Sequence, residues 1–471
     1  MLHYNLCVIG SGPAGQKAAI QTAKLGKTVC VVERMEVIGG VAINTGTIPS
    51  KALREAILNL KGHQAAAPTV ADFTDASDET FSNLQHSCHE VIQAEIGVVR
   101  RHFRSNSIVV AKGEARFTDP HHVEVTGSTG TKEIEADRFV IAVGSMPARP
   151  EGIPFDDRNV ITSDELMNLP YLPRSMLVVG GGVIGTEYAS MLSALGVKLT
   201  LVEGRSRLLD FVDAEITEAL QYHLRQSGTT LRLGEKVTRI ELIEPPEMAR
   251  SGNDMMAEAT LESGKTLRAD CLLYAIGRQG ATEALGLHAA GLEADKRGRI
   301  AVNENYQTQA EHIYACGDVV GFPALASTAM EQGRLAACHM FDQPCESVPH
   351  LVPYGIYSIP EISMVGWTEE HLTAEGVPYE SGIAQYKEIA RGQLLHDEIG
   401  MLKMLIHQDS HTILGVHAIG TGATELIHIG QAAIAFKATV EYFVNAVFNY
   451  PTLAECYKVA ALNGLNKLRN V

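Results

Sequence analysis

At 471 residues the chain is too long for one hydrophobic core, and two to four domains are expected. Hydrophobic content of 45% and charged content of 20% are those of an ordinary globular protein, while a formal net charge of -16 argues against nucleic acid or anionic membrane as a general partner. No apolar run reaches the length of a membrane span, and the first strand starts too near Met1 to leave room for a signal peptide.

The first element is the strand "YNLCVIG", which runs into "GSGPAG" and the helical pattern "QKAAIQTAKLG". Gly10, Gly12 and Gly15 form a GxGxxG turn that encloses Pro13 and Ala14, and a second strand, "TVCVVE", ends at Glu33, with Arg34 next. Such a turn lets the backbone approach a pyrophosphate at a helix N-terminus, and an acid about 20 residues on suits ribose hydroxyls. Cys7 and Cys30 lie inside these apolar strands as small core residues. The eight cysteines contain no CxxC pair, so a reduced, cytoplasmic chain is expected.

Next comes "GGVAINTGTIPSK", residues 39–51, which resembles the redox motif of the flavoprotein disulfide reductases at Gly39, Gly40, Asn44, Gly46, Pro49, Ser50 and Lys51. That family carries a cysteine pair where this chain has Ala42 and Thr47. The resemblance makes Gly40, Val41, Ala42, Thr45, Thr47 and Lys51 flavin-side residues. The stretch 63–80 reads as a polar, alanine-rich mobile loop, and 81–104 as a helix. Its His86-Ser87-Cys88-His89 has no second ligand cluster, and no metal site is expected.

In mid-chain the first pattern returns: "SMLVVGGGVIGTEYASMLSALG" is strand, turn and helix around Gly180, Gly182, Val183, Ile184 and Gly185. "VKLTLVEGRSRLL" ends its strand at Glu203, with Arg205 and Arg207 following. Two complete fingerprints imply two dinucleotides, a duplication kept for structure alone being the plainer alternative. Glu203 suits the 2′-hydroxyl of NAD, and the arginines suit the 2′-phosphate of NADP, unless the turn is simply a solvated charged loop.

Several further stretches resemble FAD proteins of the same family. "DRFVIAVGSMPARP" with Ala142 and Gly144 resembles the close of the first FAD pass, and "CLLYAIGRQGAT" with Gly277 and Arg278 the return from the NAD fold. "HIYACGDVVG" with Gly317 and Asp318 resembles the second FAD fingerprint, followed by a helix that includes Ala326. By this resemblance the first fold binds FAD, one per subunit, and the inserted second fold binds NAD or NADP. Lys51 and Glu187 match the family's ion pair beside flavin N5, and Val183 stands where relatives often have a gating tyrosine.

"ARGQLLHDEIGMLKMLIH", "ATELIHIGQA" and "FNYPTLAECYKVAALNGLNKL" resemble the soluble pyridine nucleotide transhydrogenases, a branch of the class-I pyridine nucleotide-disulfide oxidoreductases lacking the cysteine pair. Disulfide reductases carry His-Pro-Thr where this chain has Tyr450-Pro451-Thr452, with Glu455 still at the glutamate position. Some transhydrogenases keep a cysteine where this chain has Ala42. The resemblance implies an α/β fold: FAD-binding parts at 1–148 and 277–348, an NAD(P)-binding domain at 149–276, and an α+β interface domain at 349–471. It also implies a homodimer or larger oligomer, in which NADPH and NAD+ exchange hydride reversibly through FAD by a ping-pong route. A dihydrolipoyl dehydrogenase-like diaphorase and a non-enzymatic flavin-bound sensor remain as alternatives. His407 and His411, flanking "QDSH", are expected to be exposed.

Overall fold

In the computed structural model, which describes residues 2–64, 78–245, 255–345, 347 and 351–469, strand Leu2–Ile9 lies between Val29–Glu33 and Gly130–Ile141, parallel to both. Val109–Lys112 extends this sheet on one side and Ile313–Ala315 pairs with Gly130–Ile141 on the other, again in parallel. Leu6, Cys7, Val8, Val31 and Val32 are buried, as strands covered on both faces require. The first half of Gly130–Ile141 instead pairs antiparallel with His122–Gly127, which pairs with Glu114–Asp119.

The plan repeats in the second unit. A parallel sheet in the order Thr230–Leu233, Lys198–Glu203, Ser175–Val179, Cys271–Tyr274, Val160–Ile161 is flanked by the antiparallel strands Val237–Ile243, Met256–Leu261 and Thr266–Ala269. Two chain crossings join the units, and they hydrogen-bond to each other: Ser145–Pro147 runs antiparallel to Arg278–Gly280. The third unit is a five-stranded antiparallel sheet, in the order Tyr354–Ile356, Ile362–Gly366, Ile413–Ile419, Met401–His407, Tyr379–Gln385. Helices Ala423–Ala435 and Glu455–Leu468 pack on it through Ile427, Tyr457 and Ala461. The α/β fold with two dinucleotide-type units and a C-terminal α+β unit is thus observed.

One hydrophobic cluster holds the second unit to the others, joining Leu53 and Ile57 of helix Thr47–Gln64 to Met176 and Leu192, and to Ile356 and Ile419 of the third unit. No helix among the described residues is long and apolar enough to cross a membrane.

Three expectations need correction or limits. The cysteines are not all reduced: Cys338, at the end of helix Ala326–Met340, forms a disulfide with Cys345. The chain turns back after the helix and brings the two Cα atoms to 6.2 Å, which a search for CxxC spacing misses. His407 and His411 are half-buried rather than exposed, with His411 Nδ1 2.5 Å from Glu441. The loop expected at 63–80 falls largely outside the described residues, between helices Thr47–Gln64 and Asp78–Ser105. On the latter helix Cys88 is buried, while His86 and His89 are exposed. Cys7 and Cys30 sit side by side in adjacent core strands, and burial raises both thiols, that of Cys30 to about 12.

Candidate functional site

A cleft of about 620 Å³ opens where the first glycine turn meets the crossing strands. Among the sequence-derived candidates, Gly10, Gly12, Pro13, Ala14, Glu33, Arg34, Gly40, Val41, Ala42, Thr45, Thr47, Ala142, Gly144, Gly317, Asp318 and Ala326 line it. Gly15 lies behind the lining and serves packing, because a Cβ there would stand 2.0 Å from the Gly10 carbonyl oxygen. Gly10 has φ +106, and a Cβ would meet the Ala142 carbonyl oxygen at 2.3 Å, so the turn closes only with glycine.

Two helices present their N-termini to this cleft without a side-chain cap or an acid in the first turn: Pro13–Lys24 and Ala326–Met340. Their free amides, the partial positive charge of each helix end and the open space at Gly12 suit a pyrophosphate. Glu33 closes the far end, accepting from Ser11 N at 3.1 Å, Ser11 Oγ at 2.5 Å and Met35 N at 2.8 Å. These residues fit an adenine dinucleotide such as FAD.

The acid of the second fingerprint is held by the crossing strands. Ser145 Oγ donates to Asp318 Oδ2 at 2.7 Å, and Arg278 Nε donates to Ser145 Oγ at 2.8 Å. Arg278 Nη2 also donates to the Ser145 carbonyl at 2.8 Å, while Nη1 lies 3.7 Å from Asp164. Burial raises the Asp164 carboxyl above its ordinary value, and Arg278 only partly offsets this. Ser11, Ser145 and Asp164 were not singled out in the sequence. "TSDEL" offered no signal for Asp164, because its role depends on Arg278 more than a hundred residues later.

Lys51 and Glu187 meet. Lys51, on helix Thr47–Gln64, donates from Nζ to both carboxylate oxygens of Glu187 on helix Val183–Ala194, at 3.0 and 2.9 Å. Glu187 is 5% exposed and also accepts from Tyr357 N at 2.8 Å, so the carboxylate is fixed on two sides. Lys51 Nζ lies 4.8 Å from the Tyr357 ring centroid, a cation–π distance. One ion pair thereby ties the helix next to the cleft to the helix of the second glycine turn.

At that second turn, Gly182 again precedes an uncapped helix, with Val183 and Ile184 partly buried at its start. A Cβ on Gly185 would stand 1.9 Å from the Gly180 carbonyl oxygen, the same packing as at Gly15. Glu203 Oε2 accepts from Gly181 N at 2.6 Å, and Oε1 accepts from Arg205 N and Nε at 2.8 and 2.9 Å. Burial opposes the Glu203 charge, but these donors hold its carboxyl below the ordinary value. Arg207 points elsewhere, to Glu370 at 2.9 Å. Gly277 adopts φ +83 just before Arg278, in the returning chain.

At the C-terminal end, Tyr450 is 74% exposed and Val447 is 96% exposed. Glu455 Oε2 is buried with no hydrogen-bond partner among the described residues.

The pyridine nucleotide-disulphide oxidoreductase family model matches residues 4–333, and the dimerisation domain of that family matches residues 352–461. The chain is 49% identical to a soluble pyridine nucleotide transhydrogenase of Mycobacterium tuberculosis, covering 100% of this chain and 98% of the relative. It is 45% identical to the protein of that name in Photobacterium profundum, covering 99% and 98% respectively. Among solved structures it resembles the HOCl-induced flavoprotein disulfide reductase RclA of Escherichia coli, with TM-score 0.85, 27% identity and coverage of 98% and 99%. The LpdA structure from Mycobacterium tuberculosis, at 24% identity, TM-score 0.86 and coverage of 98% and 99%, shares the fold.

Proposed function

The chain belongs to the pyridine nucleotide-disulphide oxidoreductase family, whose members use FAD and NAD(P), and from that premise we propose that it is an NAD(P)+ transhydrogenase moving hydride reversibly between NADPH and NAD+. The observation that carries this reading is at the cleft wall. Where disulfide reductases of the family have two sulfurs, Ala42 and Thr47 stand, and both line the cleft. Thiol–disulfide exchange requires a thiolate, a second sulfur and an acid–base partner. The tail position that holds a histidine in those enzymes is Tyr450 here, so the imidazole that would pass the proton is missing.

The disulfide does not restore that chemistry. Cys338 lies twelve residues along helix Ala326–Met340 from the end that faces the cleft, about 18 Å at 1.5 Å per residue. Cys316 does line the cleft, but it is fully buried and its thiol is raised by desolvation. Neither is placed to pass electrons to an external disulfide.

Each residue set has a distinct task. The amides at Gly12–Gly15 and at Ala326 take the FAD pyrophosphate, and Glu33 takes its adenosine ribose. Asp318, oriented by Ser145 and Arg278, takes the ribityl side. Bound there, the flavin supplies two-electron hydride acceptance and return. Lys51, held in place by both carboxylate oxygens of Glu187, offers positive charge to the reduced state. The second turn, through Gly180, Gly182, Val183, Ile184 and Gly185, holds the nicotinamide nucleotide, with Glu203 and Arg205 at its ribose.

The same reading assigns FAD to residues 1–148 and 277–348, one molecule per subunit, and NAD(P) to 149–276. It assigns homodimer formation in the cytoplasm to residues 349–471. The exposed Tyr450 and Val447 support a surface covered by a second subunit. The test is anaerobic mixing of the protein with NADPH and a thionicotinamide analogue of NAD+, with no dye or disulfide present. Sustained analogue reduction is expected. Flavin that NADPH reduces but NAD+ cannot reoxidise would overturn the reading, as would vigorous dihydrolipoamide oxidation.

A further inference from the structure

The loop that carries Arg205 and Arg207 is held by a residue 163 positions further along the chain. Arg205 is clasped on two sides: Nε and Nη2 donate to Glu203 at 2.9 and 3.1 Å, and Nη1 donates to Asp210. The Asp210 carbonyl accepts from Arg207 Nη2 at 2.7 Å. Arg207 Nη1 in turn donates to Glu370 Oε1 at 2.9 Å. That same oxygen accepts from Ala214 N at 3.0 Å, at the start of helix Ala214–Gln226. The preceding residue, Asp213, is fixed by fully buried Lys403 at 2.9 Å. An unbroken path of contacts therefore runs from Glu370 in the third unit, through Arg207, Asp210 and Arg205, to Glu203 at the end of the nucleotide strand.

We propose that Glu370 is a positioning residue that sets the balance between NADP(H) and NAD(H), by keeping Arg207 and the Asp210 clasp away from a 2′-phosphate. The inference rests on the reading of the second glycine turn as the nicotinamide nucleotide site. A 2′-phosphate is an anion that needs uncommitted N–H donors, and bidentate arginine pairing is its strongest recognition. With Glu370 in place, Arg207 is spent on the helix start and Asp210 occupies the outer edge of Arg205. A nucleotide bearing only the 2′-hydroxyl has no phosphate for either arginine to pair and depends on Glu203 instead. Two nucleotides that share one site are also competitors there. A restraint that weakens phosphate pairing keeps NAD+ from being shut out by NADP(H).

The test is calorimetric titration of the holoenzyme with 2′,5′-ADP and with 5′-AMP, which report the phosphate contribution without any redox step. The proteins are the wild type, Glu370→Gln, Arg207→Met and the double variant. Glutamine keeps an acceptor for Ala214 N while removing the charge that holds Arg207. Glu370→Gln is expected to tighten 2′,5′-ADP relative to 5′-AMP by about fivefold, the scale of one well-formed ion pair at a half-exposed site. That gain should vanish in the Arg207→Met background, as a double-mutant cycle of coupled residues requires. Asp210→Asn, which unclasps Arg205 without touching the third unit, should shift the ratio in the same direction and serves if Glu370→Gln disturbs folding. An unchanged ratio in Glu370→Gln, or a gain that survives in the Arg207→Met background as a bare charge effect, would overturn the proposal. Failure of the wild type to bind either fragment would instead remove the nucleotide-site reading, and this inference with it.

Discussion

Replacing Lys403 by methionine removes the cation that three carboxylates share. Lys403 is fully buried on strand Met401–His407, with Nζ 2.9 Å from Asp213 and 3.0 Å from Glu215, and bonded also to Glu369. Burial opposes its charge, yet Glu369, Asp213 and Glu215 outweigh that and raise its pKa above the ordinary lysine value. A group raised in the folded state contributes stability that is fully present below its unfolded pKa, about 10.4, and lost only as pH rises through the folded value. From pH ~5 to ~9 the wild type thus keeps the whole contribution. Breaking a buried pair from one side costs about 3–5 kcal/mol. The low end applies here, because Glu215 and Glu369 are 44% and 34% exposed and recover some hydration. At roughly 2–4 °C per kcal/mol for a unit of 150–250 residues, the thermal midpoint should fall by about 6–12 °C near pH 8. The carboxylates left behind repel one another, so their folded pKa values rise, the folded state binds more protons, and the deficit should shrink as pH falls towards ~5. Scanning fluorimetry of wild type and variant across that range measures both effects. A midpoint loss that is small at pH ~8, or that grows on acidification, would refute the assignment of Lys403 as the counter-charge of this cluster.

Lys51→Met should leave FAD bound, since the pyrophosphate and ribose are held at Gly12, Ala326 and Glu33, yet slow flavin reduction by NADPH about 100-fold in stopped-flow, the scale of losing one preorganised charge. Normal reduction rates would remove Lys51 from the chemistry. Glu203→Ala frees the Arg205 side chain from two bonds and should raise the NADPH/NADH preference in kcat/KM, whereas an unchanged ratio would place Glu203 outside the nucleotide site. Two-electron reduction of the wild type should bleach the flavin without a long-wavelength thiolate charge-transfer band. Ala42→Cys with Thr47→Cys should introduce that band, but dihydrolipoamide oxidation should rise, by up to roughly 100-fold, only after Tyr450→His is added. High activity in the double variant would mean that Tyr450 was not a decisive loss.

Much of this protein was written locally. The two glycine turns, the acids Glu33 and Glu203 ending the strands that follow, and the runs of Val, Ile and Leu between them depend on interactions within about 30 residues. Turn chemistry and hydrophobic period report such interactions faithfully, so both dinucleotide folds and the glycine-turn side of the cleft were legible. The absence of sulfur at Ala42 and Thr47 and of imidazole at Tyr450 was likewise a matter of residue identity alone.

Tertiary structure decided what lies opposite what. The sequence nominated Lys51 and Glu187, but only the packing of their two helices brings them to 2.9 Å across 136 residues. It offered Arg205 and Arg207 alike as partners of a nucleotide phosphate, or as a solvated loop, and the fold separates them, with Arg205 on Glu203 and Asp210 and Arg207 on Glu370. Ser145 carried no pattern of its own, yet it joins Arg278 to Asp318 because the two crossing strands pair. Cys338 and Cys345 escaped notice because a helix end and a reversal of the chain, rather than a motif, bring them together. A side chain's type is fixed by the sequence, but its charge partner is fixed by whichever distant element packs against it, and that depends on the whole core.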